Sequence, residues 1–288
     1  MPPTLRWGER TWLMGILNVT PDSFSGDGLA PAGRGHDAVV AAALEQARGF
    51  VAAGAEILDV GAESTRPRSA YGDHPEVDPQ AEAEVAVPVV RALVEELGDR
   101  ALVSIDTSKG SVARAALGAG ASIVNDVWAA RRDPDTAAAA ADAGAHLVLM
   151  HNADEIHYPH GVFDDVVAWL RDAMDAAETG GVARDRLIVD PGIGFGKGTA
   201  ENLELLHRLA EFKAALGGRP LLVGTSRKRF IGELLDGAAP DERVEGTAAT
   251  VAVAIASGAD IVRVHDVAQL ARVRRVADAI VRGGAGPR

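Results

Sequence analysis

The 288-residue chain contains no cysteine, which excludes disulfides, thiolate nucleophiles and Cys-ligated zinc or iron–sulfur centres. Long apolar runs are missing as well. None reaches the roughly 18 uncharged residues of a spanning helix, so no membrane partner is expected. Met1 to Trp12 lacks the apolar stretch of a secretory signal, and a cytoplasmic location is expected. Basic residues are in deficit: 29 Lys and Arg stand against 41 Asp and Glu, a formal net charge of -12. That balance argues against a nucleic-acid partner, whose phosphates need a basic face. It leaves small anionic substrates open, because a few local cations can bind a phosphate within an acidic protein.

What remains is ordinary for a globular protein, with 47% apolar and 24% charged residues. Short apolar runs recur at 12–18, 57–61, 102–106, 122–127, 147–151, 187–190, 220–224 and 261–265. Several are near-continuous Val, Ile and Leu, as in parallel strands buried on both faces. Helical periodicity fills the gaps. Phe163, Val166, Val167, Leu170 and Met174 share one face, and Glu201 to Leu216 reads as one helix with Thr199 as its N-cap. Eight repeats of a strand and a helix predict an α/β fold, a TIM (β/α)8 barrel, as a single domain over 1–288. An open doubly wound sheet is the rival, but no Gly-rich dinucleotide loop follows the first strand. A short N-terminal hairpin over the barrel floor is expected at Leu5 to Trp12, turning near Gly8-Glu9. Gly26 to Gly35 and Arg66 to Asp78 read as long loops at the carboxyl ends of the first two strands.

Almost every predicted strand ends in polar residues: Asn18, Asp59, Asp106, Asn125-Asp126, His151-Asn152, Asp190, Ser226-Arg227-Lys228, and Arg263 with His265 and Asp266. A barrel brings such positions to one face. Asp106, Asn125, Asp190 and Lys228 suit a flat heterocycle with mixed donors and acceptors, such as an amino-oxo pyrimidine ring. A carboxylate–lysine ion-pair network is the alternative reading. Arg263 and His265 alternate onto one strand face, and with Arg66 they suggest a phosphate site. The glycine-rich run Asp190 to Lys197 lacks P-loop spacing and reads as a close backbone approach walled by Phe195. His151, His157 and His160 lack a zinc pattern; Mg²⁺ bound through Asn18 and substrate phosphates fits better.

The stretches MGILNVTPDSFS (14–25), ESTRP (63–67), SIDTSK (104–109), VNDV (124–127), DPGIGFGK (190–197), LLVGTSRKRFIG (221–232) and RVHDV (263–267) resemble the dihydropteroate synthase family, in order along nearly the whole chain. The resemblance implies a TIM barrel, a homodimer, and Mg²⁺-dependent condensation of 6-hydroxymethyl-7,8-dihydropterin diphosphate with 4-aminobenzoate. By the family's pattern, Asp106, Asn125, Asp190 and Lys228 hold the pterin, with Met150 beside it. Asn18, Thr65, Arg66, Arg263 and His265 take the diphosphate, and Asn18 the metal. Pro67, Phe195, Ser226 and Lys228 border the aminobenzoate. Catalysis then falls to Asp106, Lys228, Arg263, His265 and Arg66, under loops Thr20 to Leu29 and Ser64 to Arg68 that close over the substrates. Gly110 stands where the family commonly has proline. The competing readings are a methyltetrahydrofolate-type pterin methyltransferase, a Schiff-base aldolase using Lys228, and a non-catalytic pterin-binding subunit. In the last helix, Leu270, Val273, Val276 and Ile280 serve either a dimer surface or packing on the barrel.

Overall fold

The computed structural model describes residues 3–19, 35–63, 77–153 and 156–283. Its elements run β1 (Trp12–Asn18), α1 (His36–Ala53), β2 (Ile57–Gly61), α2 (Pro79–Leu97), β3 (Leu102–Asp106) and α3 (Gly110–Gly118). Next come β4 (Ile123–Asp126), α4 (Asp135–Ala143), β5 (His146–Met150), α5 (Val162–Thr179), β6 (Leu187–Asp190), α6 (Thr199–His207) and α7 (Leu209–Ala215). The chain ends with β7 (Leu222–Val223), α8 (Arg229–Leu234), α9 (Val244–Ala256), β8 (Ile261–Val264) and α10 (Val267–Arg282).

All strand pairs are parallel, in the order β6-β5-β4-β3-β2-β1-β8-β7. The two ends of that order meet at a parallel bridge between Val189 and Leu221, where the Val189 N–H donates to Pro220 O at 2.9 Å. The fold is the expected (β/α)8 barrel. Strand β7 is shorter than its apolar run because Leu221 gives its N–H to the buried Asp260 carboxylate (2.9 Å). Lys213 pairs with that carboxylate at 2.6 Å.

Side chains alternate along each strand, so one set faces the helices and the other fills the barrel. Leu13, Leu58, Val60, Val103, Ile105, Val124, Leu147, Leu149, Val189, Val262 and Val264 join the helix-facing core. Trp12, Met14, Ile57, Leu102, Ile123, Val148, Ile188, Leu222 and Ile261 form a separate cluster inside the barrel. This apolar plug leaves only the strand C-termini for polar chemistry.

Three local readings change. Leu5 to Trp12 makes no hairpin: residues 7–10 are bends. Leu5 and Trp7 still pack against the plug, and the Trp12 indole donates to Arg6 O at 3.1 Å. The helix expected over Glu201 to Leu216 bends at Arg208 (φ -104, ψ 19), so α6 and α7 each turn an apolar side inward, Leu205 and Leu206, then Leu209 and Phe212. Thr199 is not its N-cap. Gly198 is, and the Thr199 hydroxyl donates to Glu233 on α8, a helix that the sequence reading did not predict. Gly110 has its own reason: its N–H donates to Asp133 at 2.7 Å, which proline cannot do, and a Cβ there would lie 2.3 Å from Asp135 Cβ.

Candidate active site

The period of two that builds the plug also builds the site above it. One inward step beyond Ile57 is Asp59. Beyond Leu102 come Ser104 and Asp106; beyond Ile123, Asn125; beyond Ile188, Asp190; beyond Ile261, Arg263 and then His265. Register sets Asp106 beside Asn125, and Met150 beside Asp190. Of the strand-end residues singled out from sequence, Asp59, Asp106, Asn125, Asp190 and Arg263 therefore face the barrel mouth, whereas His151 meets Lys197, Asp266 pairs with Arg227, and Asp126 turns away. Asp126 points out of the barrel and caps its own loop, accepting from the N–H groups of Trp128 (2.8 Å) and Ala130 (2.9 Å) and the Thr136 hydroxyl (2.8 Å).

Arg263 is the hub. Its Nε donates to Asp59 Oδ2 at 2.6 Å and its Nη2 to Asp106 Oδ2 at 2.7 Å. Asp59 Oδ2 also accepts from Asn125 Nδ2 at 3.0 Å, which turns the amide oxygen of Asn125 away from Asp59. One guanidinium thus serves two buried carboxylates. Asp59 Oδ1 and Asp106 Oδ1 are buried and have no hydrogen-bond partner among the described residues. Burial pushes the Asp106 carboxyl up to about 7, against the pull of Arg263 and with the help of Asp59. Sequence reading noted Asp59 but gave it no role. Its inward register, two residues beyond Ile57, was the available signal.

Arg263 and His265 share a strand face as expected, but they are held differently. The His265 N–H donates to Ser226 Oγ at 3.1 Å, and its ring Nδ1 lies 3.0 Å from the same oxygen. A Ser226 hydroxyl donating to Nδ1 leaves Nε2–H as the ring's donor. Ser226, expected to border the aminobenzoate, is thus also the support of His265. Arg227, at φ 58, is staked by a bidentate pair with Asp266 (3.0 and 2.6 Å), which fixes the turn carrying Ser226 and Lys228.

The β6 loop supplies the facing wall. Asp190 is buried and accepts from the Gly192 N–H at 2.7 Å. Burial lifts its carboxyl to about 6, while Lys228, Lys197 and Arg263 oppose the rise. Lys228 Nζ sits 3.8 Å over the Phe195 ring, a cation–π contact. A Cβ on Gly194 would come within 2.8 Å of Lys228 Cδ, and φ there is +81. Asn18 ends β1, half-buried, opposite Gly61 of β2. Thr65, Arg66 and Pro67, with the loops Thr20 to Leu29 and Ser64 to Arg68, lie outside the described residues.

Sequence reading also missed Lys109. Its buried Nζ donates to Glu63 (2.7 Å), Glu82 (2.6 Å) and the Val77 carbonyl (2.7 Å), while Glu63 accepts from the Val77 N–H. Glu63 and Val77 bracket the segment that contains Thr65 and Arg66. The signal was a lysine two residues beyond a strand, inside a motif read only for its aspartate. Among the described residues, His151, His157 and His160 belong to no group of three or more His, Cys, Asp or Glu placed to hold a metal ion. No helix among them is long and apolar enough to cross a membrane.

The sequence model of the family described as "Pterin binding enzyme" matches residues 14–265. The chain is 43% identical to the dihydropteroate synthase of Bacillus subtilis over 283 residues, covering 98% of this chain and 93% of that one. It is 44% identical to the dihydropteroate synthase of Synechocystis, with coverages of 96% and 92%. Among solved structures, a Clostridium difficile dihydropteroate synthase obtained in the presence of pteroic acid superposes with a TM-score of 0.88 at 40% identity, covering 97% and 100%. One from Xanthomonas albilineans with 4-aminobenzoic acid gives 0.84 at 39%, covering 94% and 93%. With matches of this extent running through the barrel and its polar mouth, the chain belongs to the dihydropteroate synthase family of pterin-binding enzymes.

Proposed function

We propose that the barrel mouth condenses 6-hydroxymethyl-7,8-dihydropterin diphosphate with 4-aminobenzoate, giving 7,8-dihydropteroate and diphosphate. The observation that carries the assignment is the pair of orphaned oxygens, Asp59 Oδ1 and Asp106 Oδ1, buried beside Asn125 and Arg263. Unmatched buried acceptors are costly, and a flat ring bearing amino and ring N–H donors satisfies them. Asp106, Asn125, Asp190 and Lys228 grip that ring, with Met150 packed beside it. Phe195, Pro67, Ser226 and Lys228 border the arylamine.

The C–O bond to diphosphate breaks, a C–N bond to the arylamine forms, and the amine nitrogen gives its proton to solvent. An arylamine attacks as the neutral species, so positioning matters more than a strong base. Arg263, His265, Arg66 and Thr65 stabilise the charge growing on diphosphate. Ionised Asp106 faces the positive charge that develops on the ring. The residues present fit Mg²⁺ only as an ion carried by its substrate. Asn18 offers one hard amide oxygen at the strand end, and no three-residue carboxylate or imidazole cage exists among the described residues. When bound, the ion neutralises diphosphate charge.

Incubation with both substrates and Mg²⁺ is expected to yield dihydropteroate and diphosphate in equal amounts, lost on chelation. Diphosphate alone would remove the aminobenzoate assignment. Methyl transfer from methyltetrahydrofolate, with neither product, would replace the reading by the methyltransferase one.

We also propose a cytoplasmic homodimer. Leu270 is buried and Val273 packs on the core, but Val276 is 62% and Ile280 77% exposed, with Val253 and Val281 also exposed on α9 and α10. Exposed large apolar side chains on two adjoining helices favour a second copy as their cover. The pair of changes Val276→Asp and Ile280→Asp should yield monomers by sedimentation; a dimer that persists would move the interface elsewhere.

A further inference from the structure

Lys197 is 5% exposed, and the chemistry above does not use it. Its Nζ donates to His151 Nδ1 (2.8 Å), the Gly192 carbonyl (3.0 Å) and the Phe195 carbonyl (2.9 Å). An ammonium has three protons, and here each has an acceptor. With His151 as its Nε2–H tautomer, a neutral amine would lose one of these bonds; only an Nδ1–H tautomer, donating to the amine, would keep all three. His151 suits the acceptor role, because burial and the Lys197 charge push it down to about 2 and keep it neutral. It is held against Trp169, ring centroids 4.9 Å apart.

The two carbonyls belong to the residues that shape the substrate site. The Gly192 N–H holds Asp190, and Phe195 carries the ring beneath Lys228. Gly192 also sits at φ +68, where a Cβ would lie 1.8 Å from the His151 carbonyl, so the loop closes tightly over the end of β5. Tyr158 adds a second strap, donating to Gly196 O at 2.6 Å.

We infer that Lys197 is a positioning residue: as an ammonium, it fixes the Asp190 carboxylate and the Phe195 wall in one arrangement. The inference rests on the proposed pterin and aminobenzoate assignments. The groups facing Lys197 are His151 just after β5, Asp190 from β6 and Lys228 after β7. Those facing Asp190 are the Gly192 N–H, Lys228, Lys197 and Arg263. Burial draws Lys197 down to about 7, while Asp190 supports its charge. The coupling is mutual, since Lys197 helps keep Asp190 ionised. Removing the cation must therefore raise the Asp190 pKa and move the acid limb of pterin binding to higher pH.

Lys197→Met tests this, with Lys197→Gln, which keeps donors without charge, in its place if the first does not fold. Folding is checked by the thermal midpoint. We expect KM to rise about tenfold for both substrates, kcat to change less, and the acid limb to move up. Lys197→Arg, which keeps the charge, should retain the wild-type acid limb. Unchanged KM values and acid limb in a folded, uncharged variant would overturn the inference. So would an equal movement of the limb in the Arg variant. Calorimetric binding of 6-hydroxymethyl-7,8-dihydropterin across pH needs no turnover. It tests Lys197 even if the wild type makes no dihydropteroate, a result that would instead remove the proposed reaction.

Discussion

Asp106→Asn is expected to lower kcat/KM for the pterin diphosphate by about 100-fold or more while making the ligand-free protein relatively more stable above neutral pH. Both effects have one origin. The carboxylate is buried, one oxygen is bound to Arg263 at 2.7 Å, and the other has no partner among the described residues. A substrate ring with N–H donors and developing positive charge supplies what is missing, and an amide answers neither need as well. Without substrate the ionised form is a liability. The folded pKa is about 7 against an ordinary 3.8, so between about pH 4 and 7 the folded chain binds more protons than the unfolded one. The stabilisation from that proton is present below about pH 4 and lost as pH rises through about 7. Asn has no such dependence. The difference in thermal midpoint, variant minus wild type, should therefore grow across that window and level off above it. A flat difference, or wild-type turnover in the variant, would remove Asp106 from this role. The same reasoning predicts that wild-type kcat/KM falls as pH drops below about 7.

The barrel was legible because its signals repeat. The run Leu187 to Asp190 is apolar on both faces until its last residue, Leu102 to Asp106 departs from that only at the inward Ser104, and the structure places both strands where the runs lie. Elements set by partners distant in sequence were not legible. Strand β7 stops at two residues because Asp260, 39 positions away, takes the Leu221 N–H. Thr199 has the look of an N-cap, but its hydroxyl is used by Glu233. The same division holds at the site. Residue types at strand ends announced Asp106, Asn125, Asp190 and Arg263. Their pairing did not follow from spacing, since Arg263 lies 204 residues from Asp59 and meets it only once β8 closes against β1. The Arg263–His265 alternation suggested one anion patch. The structure adds how each is held, Arg263 by the Asp59 and Asp106 carboxylates and His265 by Ser226, which spacing alone did not indicate.

Arg263→Met is expected to cost about 3–5 kcal/mol of stability at pH 8 and to reduce turnover by at least about 100-fold. Methionine fills the volume but leaves Asp59 and Asp106 as two buried carboxylates without their shared cation. Lysine cannot substitute. The Arg263 fork reaches Asp59 through Nε and Asp106 through Nη2 at once, and a single ammonium is a point charge. Arg263→Lys should recover part of the stability and little of the activity. The loss in the Met variant should shrink toward pH 5, because protonation removes the unpaired charge. Removing Arg263 raises the Asp106 pKa further, so the recovery extends above the wild-type value of about 7. Adding Asp59→Asn to Arg263→Met separates the two functions of the guanidinium. With one carboxylate neutralised, stability at pH 8 should return toward wild type. Turnover should stay low, because the diphosphate still lacks its cation. If that double variant regained activity along with stability, Arg263 would serve only to balance buried charge, and diphosphate stabilisation would fall to His265 and the residues outside the described segments.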